Sequence, residues 1–359
     1  MNNWDHRFVN SFNHNSTHLI RYRSRLVELI RCKATARAGL VGNPSDGYQG
    51  KTIAVGVPDY FAQVVMYEWE DLELIPSQED QSRFKSMDDL AKDVELHGYY
   101  GGIRLVKATI KKFVEFCRGR YDLHDRNFSI RYESNIPRAV GMAGSSAIIV
   151  ATLRALIEFY EIEVPLHVQP SLVLSVETNE LGIAAGLQDR VIQVYDGLVY
   201  MDFAKESMIE DHGLECGDYE RLPLESLTNA YVAFNTDAGQ PTEVFHNDLR
   251  GRFERGESAV VEAMQQFAEL TDHAKRAINE GDHKMLASLI DQNFDLRKSI
   301  CQLPAEQVAM VEAARSVGAS AKFAGSGGAI VGTYHDDEML GELHRVLTTL
   351  GCELTPIST

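Results

Sequence analysis

The stretch from residue 135 to residue 147 constrains the fold of this chain more than any other part of it. It carries Gly141 and Gly144 and then two adjacent serines. A strand-like run, residues 128–132, leads into it, and an almost wholly apolar run, residues 148–160, leaves it. Because a helix that is apolar on nearly all sides has to be buried, the pattern predicts a strand, a glycine-rich turn and a core helix.

The same turn has the composition of an anion-binding loop. Glycines allow a ligand to come close to the backbone. The first amide groups of a helix have no partner within the helix and lie at the positive end of its dipole. We expect Ser145 and Ser146 in that first turn, where a hydroxyl beside phosphates can also bind Mg²⁺. A serine at this position is equally often a simple N-cap, and the stretch alone leaves both interpretations open.

Two more glycine-rich loops lie elsewhere in the chain. Residues 182–190 separate two predicted helices and place Asp189 and Arg190 in the first turn of the second helix. Residues 322–331 form a predicted strand, a loop with three glycines and a second strand. A polar loop, residues 42–50, follows another predicted strand. Three glycine-rich segments are more than one domain needs for its turns, so we expect them to serve a ligand site.

Hydrophobic periodicity divides the chain into an appendage and two domains. Residues 1–30 are predicted as a helical appendage, with the helix at Leu19–Arg31. Residues 31–205 and 206–359 are predicted as the domains, because the polar segment 204–227 lacks clear periodicity. Further predicted strands lie at 33–41, 52–57 and 61–68, the last two as antiparallel neighbours, and further predicted helices lie at 82–96, 103–118, 171–181, 242–250, 257–280, 283–300 and 305–317.

The composition disfavours several classes of function. The chain has 52 acidic and 35 basic residues, a net charge of −17, and no basic stripe, which argues against nucleic-acid binding. No apolar run reaches the length of a membrane span, and the first residues lack a signal pattern. The 5 cysteines are scattered and lack metal-binding spacing, which indicates a reducing compartment. We therefore expect a cytoplasmic protein without a membrane partner, and its oligomeric state is left open.

Taken together, the motifs resemble those of the GHMP kinases, the family of sugar and small-molecule kinases that includes galactokinase, homoserine kinase and mevalonate kinase. Residues 37–50, 137–147 and 322–328 match the three motifs of that family in order and spacing. Within the family, residues 42–46 and 186–190 resemble the plant-type glucuronokinases. The resemblance covers about residues 33–359.

This resemblance implies a fold and an activity. The fold would be α+β with two domains, an N-terminal α/β domain of the kind found in a ribosomal small-subunit protein and a C-terminal ferredoxin-like domain. ATP would lie between them, with its phosphates over residues 141–147. The activity would be that of an ATP- and Mg²⁺-dependent sugar 1-kinase that phosphorylates the anomeric hydroxyl of D-glucuronate. Galacturonate, galactose or a heptose phosphate are alternative acceptors, and a non-catalytic sugar sensor is an alternative of another class.

The resemblance also assigns roles to residues. Asp189 matches the catalytic aspartate and Arg37 the basic residue that pairs with it. Ser146 and Glu177 match the Mg²⁺ ligands, and Glu180 is an alternative to Glu177. The expected nucleotide-binding residues are Pro137, Gly141, Ala143, Gly144, Ser145, Ser146, Ala147, Gly325 and Gly327.

For the sugar, the resemblance matches Asp46 to a contact with a substrate hydroxyl. The other expected substrate-binding residues are Asn43, Tyr48, Tyr100, Arg104 and Arg190, the two arginines because guanidinium groups grip carboxylates bidentately. The pKa of Asp189, in a first helical turn beside Arg37, is expected to be lowered. Two roles stay open for Asp189, a proton acceptor late in the transfer or an orienting group while Arg37 stabilises the alkoxide.

Overall fold

The structure is a computed structural model that describes residues 18–22, 25–76, 101–217, 219–235 and 243–358. The predicted helix at 82–96 and Tyr100 lie outside these residues. Within them the chain forms two main sheets with helices packed against both.

The first sheet is built around two long antiparallel strands. The strands of this sheet are β1 (His18–Tyr22), β2 (Arg25–Val41), β3 (Lys51–Trp69), β4 (Glu73–Ile75), β5 (Asn127–Ser134), β6 (Leu198–Asp202) and β9 (Glu220–Leu222), and the hairpin of β7 (Met208–Asp211) and β8 (Leu214–Gly217) stands apart. β3 pairs with β2 along most of its length, with β5 over its second half and with β6 over its first half. β6 in turn pairs with β9, and β4 is added beside β5.

The prediction of a helix at Leu19–Arg31 was wrong, because β1 and the start of β2 occupy this segment. Ile30 and Cys32 are buried while Arg31 and Lys33 are exposed. That alternation has the period of a strand. The strand predicted from residue 33 therefore starts earlier, at Arg25.

The prediction that residues 52–57 and 61–68 are antiparallel neighbours was also wrong. Both belong to β3, which shifts register opposite Thr35 and Ala36. A bulge of this kind accepts Pro58, since its extra residues do not have to donate to the neighbouring strand. A bulge was thus mistaken for a turn.

Helices cover the first sheet around its central strands. Residues 52–57 of β3 are all buried, as expected for a sheet covered on both sides. α2 contacts β2 and β3, and a later helix, α6 (Ser258–Glu280), also contacts β3. The helices of this part are α1 (Gly102–Cys117), α2 (Gly144–Phe159), α3 (Gln169–Ser175) and α4 (Leu187–Tyr195), with one π-helical turn at Val176–Glu180.

The second sheet has four antiparallel strands in the order β11-β12-β10-β13. Phe323, Ile330, Val311 and Leu343 belong to the core that joins it to its helices. Its strands are β10 (Ala230–Phe234), β11 (Lys322–Phe323), β12 (Ala329–Thr333) and β13 (Glu353–Pro356), and the helices are α5 (Glu243–Glu254), α6, α7 (His283–Ile300), α8 (Ala305–Ser316) and α9 (Asp337–Thr348). These bounds lie close to the helices predicted at 242–250, 257–280, 283–300 and 305–317.

The chain crosses between the sheets later than residue 205. Because β9 pairs with β6, the first sheet extends to Leu222, and the second begins at Ala230. The division at residues 205 and 206 stays a prediction.

Hydrogen bonds tie the two sheets together at the end of β2. The amide of Gly39 donates to the carbonyl of Ala324 at 2.8 Å, and the amide of Gly42 donates to the side chain of Asn293 at 2.6 Å. The end of β2 therefore meets the loop after β11, and the loop after β2 meets α7. In the part of the chain that the structure describes, no helix is long and apolar enough to cross a membrane.

Candidate active site

The loop before α2 presents amide groups without a side-chain cap. Ala143 precedes the helix with φ 62°, and no side chain accepts a hydrogen bond at this N-terminus. Ser145 is exposed, whereas Ser146 is buried and its hydroxyl donates to the carbonyl of Ala143 at 3.1 Å. The interpretation of the serines as N-caps is therefore wrong. The geometry keeps the first amides of α2 available to an anion, as in other helix N-termini that bind phosphate.

The glycine loop 325–328 lies directly against this first loop. A Cβ atom on Gly325 would come within 2.5 Å of the carbonyl oxygen of Gly141, and one on Gly328 within 2.8 Å of Val140 Cα. A Cβ atom on Gly141 would lie 2.7 Å from the carbonyl oxygen of Gly327. No side chain fits between the two backbones. The structure thus brings the second and third motifs into one place, as the sequence predicted.

Arg37 connects these loops to Asp189. Its Nε donates to Asp189 Oδ1 at 2.5 Å, and its Nη1 donates to the carbonyls of Gly141 at 2.5 Å and Ala324 at 3.2 Å. Arg37 is buried in the second half of β2, and Asp189 lies in the first turn of α4. A single guanidinium group therefore fixes the aspartate beside the glycine loops.

The pKa of Asp189 is lowered, in the direction that the sequence predicted. Burial acts to raise it, but the positive charges of Arg37 and Arg190, together with hydrogen bonds from Arg37 and Gln188, outweigh burial. Asp189 is therefore a carboxylate at neutral pH, held from two sides.

Glu177 and Arg190 form a buried ion pair beside it. Glu177 is 1% exposed and accepts from both Nε and Nη2 of Arg190. Glu177 lies in the π-helical turn, a local irregularity that often occurs at functional sites. Glu180, the alternative, points elsewhere and accepts from Lys111 on α1. Of the two glutamates, only Glu177 is thus directed toward the Asp189 cluster.

Asp46 completes the cluster with a pKa shifted in the opposite direction. Its carboxylate faces Gly186, where an added Cβ atom would lie 3.1 Å from Oδ2. Burial and the nearby charge of Asp189 raise the pKa of Asp46 to about 7, although Arg37 and Arg190 act against this shift. Two carboxyl groups near each other thus titrate in different ranges.

The other predicted substrate-binding residues lie in different surroundings from one another. Asn43 is buried, and its Oδ1 accepts from Lys322 at 2.5 Å, so its side chain is turned inward. Tyr48 is half-buried and packs against Phe253 with ring centroids 4.8 Å apart. Arg104, half-buried near the start of α1, donates to the carbonyl of Leu181 at 3.4 Å.

Arg190 uses most of its donors within the protein. Besides Glu177, it donates to the carbonyl of Gly186 at 2.8 Å and lies 3.3 Å from Asp189. Pro137 is half-buried in the segment that leads into the loop, and Gly144 and Ala147 belong to the first turn of α2. Tyr100 is outside the described residues.

The sequence of this chain is similar to those of known kinases. Residues 104–197 match the N-terminal domain of GHMP kinases. Over 311 residues, the chain is 40% identical to Glucuronokinase 1 of Arabidopsis thaliana, covering 84% of each protein. It is 39% identical over 308 residues to Probable glucuronokinase 2 of the same plant, covering 83% of this chain and 82% of that one. The chain belongs to the GHMP kinase family.

Solved structures of the family agree in fold. The crystal structure of Lactococcus lactis galactokinase complexed with galactose matches with a TM-score of 0.70 at 16% identity, covering 91% of this chain and 92% of that one. The predicted α+β GHMP kinase fold is thereby confirmed. This GHMP kinase is a phosphotransferase, and ATP is the phosphate donor of its family.

The sequence reasoning missed Arg297, which lies in α7 beneath the third motif of this GHMP kinase. Its Nη1 donates to the carbonyl of Gly325 at 2.7 Å, and its Nη2 donates to that of Ser326 at 3.3 Å. The sequence did contain a signal for a buried arginine at this position. The arginine lies on an apolar helix face, because the buried residues of this face follow one another at helical spacing: Ile290, Phe294, Arg297 and Ile300.

Proposed function

We propose that this GHMP kinase transfers the γ-phosphoryl group of ATP to the anomeric hydroxyl of D-glucuronate and forms glucuronate 1-phosphate. One observation carries the proposal. Arg37 binds Asp189 and the carbonyl of Gly141 with the same guanidinium group, so the carboxylate stands where a phosphate on the loop would meet an acceptor. The named glucuronokinases at 40% and 39% identity support the choice of sugar.

The nucleotide phosphates bind the amide groups at the start of α2. Glycines on both loops keep this surface free of side chains, and the helix dipole favours negative charge there. The adjacent loop at residues 325–328 forms the second wall. Binding by backbone amides explains how an acidic protein holds an anion.

The residues present fit Mg²⁺. Ser146 Oγ donates its proton to Ala143 and keeps lone pairs to offer, and Glu177 engages Arg190 through Oε2, which leaves Oε1 as a ligand. A hydroxyl and one carboxylate suit an ion that takes its other ligands from phosphates and water. When bound, Mg²⁺ neutralises charge on the transferring phosphoryl group.

Asp189 acts mainly by orientation. Its lowered pKa makes it a weak base, and the anomeric hydroxyl is more acidic than an ordinary alcohol, so full proton removal is not needed early. The carboxylate accepts the hydrogen bond of the attacking hydroxyl and takes the proton late in transfer. Arg37 fixes its orientation and stabilises the developing negative charge.

The sugar contacts Asp46 and Arg104 in this proposal. Asp46 accepts from a sugar hydroxyl beside Asp189. Arg104 lies near Leu181, at the start of the loop that leads to Asp189, and is the better candidate for the substrate carboxylate. Arg190 instead positions Glu177 and Asp189, because its donors already engage both.

A panel of sugars with radiolabelled ATP tests the function. We expect glucuronate to be phosphorylated at C1 with a kcat/KM at least 100-fold above that for galactose, galacturonate or a heptose phosphate. Preferential turnover of one of these would move the assignment to that acceptor. Nucleotide and sugar binding without turnover by the wild-type protein would indicate a sensor.

The carboxylate contact is tested separately with Arg104→Gln. We expect the KM for glucuronate to rise at least tenfold, since one charge-assisted contact is lost, with kcat changed less than threefold. Lys111→Gln is the matched control, because Lys111 is a cation two turns further along α1 that pairs with Glu180. An equal effect of both variants would disprove the role of Arg104.

A further inference from the structure

Arg297 is a buried cation whose hydrogen-bond partners are neutral. It is 6% exposed, donates to the carbonyls of Gly325 and Ser326, and lies with Cζ 5.3 Å from the centre of the Phe323 ring. Among the described residues it forms no ion pair, although the carboxylate of Asp46 acts on its charge from a longer distance. A buried charge without an ion-pair partner is costly to the fold, so its retention beneath the third motif calls for a reason.

Lys322 shares this environment. Its ammonium group is 1% exposed and donates to the carbonyls of Gly39 at 2.6 Å and Phe323 at 2.8 Å and to Asn43 Oδ1 at 2.5 Å. Three acceptors match the three N–H donors of the ammonium form, although burial and the charges of Arg297 and Arg37 lower the pKa of Lys322 well below its usual value. Arg297 and Lys322 thus lie under one loop, with carbonyl and amide oxygens as their hydrogen-bond partners.

These contacts determine the direction of the loop amides. In a trans peptide unit, the carbonyl of one residue and the N–H of the next point in opposite directions. Arg37 holds the carbonyl of Ala324, and Arg297 holds those of Gly325 and Ser326. The N–H groups of Gly325, Ser326 and Gly327 consequently point away from the buried cations.

The loop before α2 lies directly beside these residues. Gly141 packs against Ser326 and Gly327, since a Cβ atom on it would lie 3.2 Å from the Ser326 nitrogen and 2.7 Å from the Gly327 oxygen. Within the described residues, neither Gly325 nor Gly327 donates its amide hydrogen to a protein acceptor. The loop thus has donors to offer on the side where the two motifs meet.

We propose that Arg297 is a positioning residue for the nucleotide: it fixes the amides of Gly325 and Gly327 toward the phosphates and leaves its own charge to be balanced by them. The inference deepens the proposed function and rests on ATP being bound at these loops. The polyphosphate of the nucleotide is the anion that Arg297 lacks as an ion-pair partner. Arg297 itself does not touch the ligand.

The test measures the Kd for ATP by calorimetry and both KM values by steady-state assay, in the full chain. For Arg297→Met, we expect the Kd and KM for ATP to rise at least tenfold, while the KM for glucuronate changes less than twofold. AMP, which carries one phosphate, should lose less affinity than ATP. Arg297→Lys keeps the charge but not both carbonyl contacts and should restore part of the ATP affinity.

Arg315→Met is the matched control. Arg315 also lies over a phenylalanine ring, Phe294 at 5.0 Å, and donates to a carbonyl beside β11, that of Ala321 at 3.2 Å. Unlike Arg297, it is paired with carboxylates, Asp291 at 2.9 Å and Asp295 at 2.7 Å. We expect its loss to change ATP affinity less than twofold.

The outcomes separate the two hypotheses. A wild-type protein that does not bind ATP would contradict the proposed function itself. If the wild type binds ATP but Arg297→Met binds it equally well, or if the KM values for ATP and sugar rise together, the positioning role is wrong. Should Arg297→Met not fold, Arg297→Lys decides, because wild-type ATP affinity in that variant would overturn the proposal.

Discussion

Two neighbouring regions of this GHMP kinase bury several charges each, and they balance them differently. Around Asp189, the carboxylates of Asp189 and Glu177 are bound by the guanidinium groups of Arg37 and Arg190. Beneath the loop 325–328, Arg297 and Lys322 donate only to backbone carbonyls and to the amide of Asn43 among the described residues.

The difference indicates two tasks. A carboxylate held from two sides is fixed in orientation and stays ionised, which suits a group that must meet one hydroxyl in one direction. A guanidinium group paired only with neutral oxygens, that of Arg297, keeps a positive charge to balance an incoming anion. Variants in the first region should therefore lower kcat, and variants in the second should weaken ATP binding. Asp189→Asn and Arg37→Met test this division, and Asp46 adds a dependence on pH.

The largest effect is expected for Asp189→Asn. Loss of the carboxylate should lower kcat about 10³-fold, within the range of a positioned acid or base, with little change in the Kd for ATP. Single-turnover and steady-state assays measure both. Asp196→Asn is the control. Asp196 directly follows the same helix, and its carboxylate lies 2.8 Å from Arg154 Nη2, outside the Asp189 cluster. Retained turnover in Asp189→Asn would end the catalytic assignment.

Arg37→Met should affect both quantities, because Arg37 belongs to both regions. We expect kcat to fall about 10²-fold, a typical loss for a group that stabilises developing charge. The ATP Kd should rise as well, since the carbonyls of Gly141 and Ala324 lose their donor. Unfolding should become easier by about 3 kcal/mol, as when one partner of a buried ion pair is removed. Denaturant titration measures the last effect, and a variant that changed kcat alone would contradict the bridging role.

The smallest effect is expected at Asp46 and depends on pH. Because its pKa is raised to about 7, the ionised form, which accepts from a sugar hydroxyl in the proposed function, declines from about nine-tenths at pH 8 to about one-tenth at pH 6. The KM for glucuronate should rise about tenfold between pH 8 and pH 6, following the ionised fraction. Asp46→Asn should have a high KM that varies little over this range. A flat profile in the wild type would remove Asp46 from the sugar site.

The same shift affects stability with a defined sign. A carboxyl group whose pKa is higher in the folded than in the unfolded state binds more protons when folded, so stability decreases as pH rises from about 4 to about 7. The melting temperature of Asp46→Asn should therefore exceed that of the wild type at pH 8 and approach it at pH 5. Differential scanning calorimetry at both values gives the comparison.

Most elements with strong periodicity were predictable from the sequence. Helices α6, α7 and α8 and the buried helix α2 lie close to their predicted bounds, because their apolar spacing reports which face is buried. The N-terminal segment was mispredicted, since β2 pairs with β3, where Leu29 lies opposite Tyr67, and β1 pairs with the start of β2. Such pairing leaves only a weak alternation in the local sequence.

For the site, the structure brings the predicted residues Arg37, Asp46, Glu177, Asp189 and Arg190 together, but the sequence did not predict the partners of each group. Asn43 was expected to face the sugar, yet Lys322 draws its side chain inward from a position 279 residues away. Arg190 was expected to bind a substrate carboxylate, but Glu177 occupies it. Such contacts between distant segments leave no local pattern.

By itself, the sequence determined the three glycine-rich motifs, the aspartate at the start of α4 and hence the family, because turns, helix starts and backbone approach depend on a few residues in fixed order. The tertiary structure alone decided which charges are neutralised and which are not. Neutralisation depends on distances of a few ångströms between side chains from different elements, and only the folded chain sets those distances.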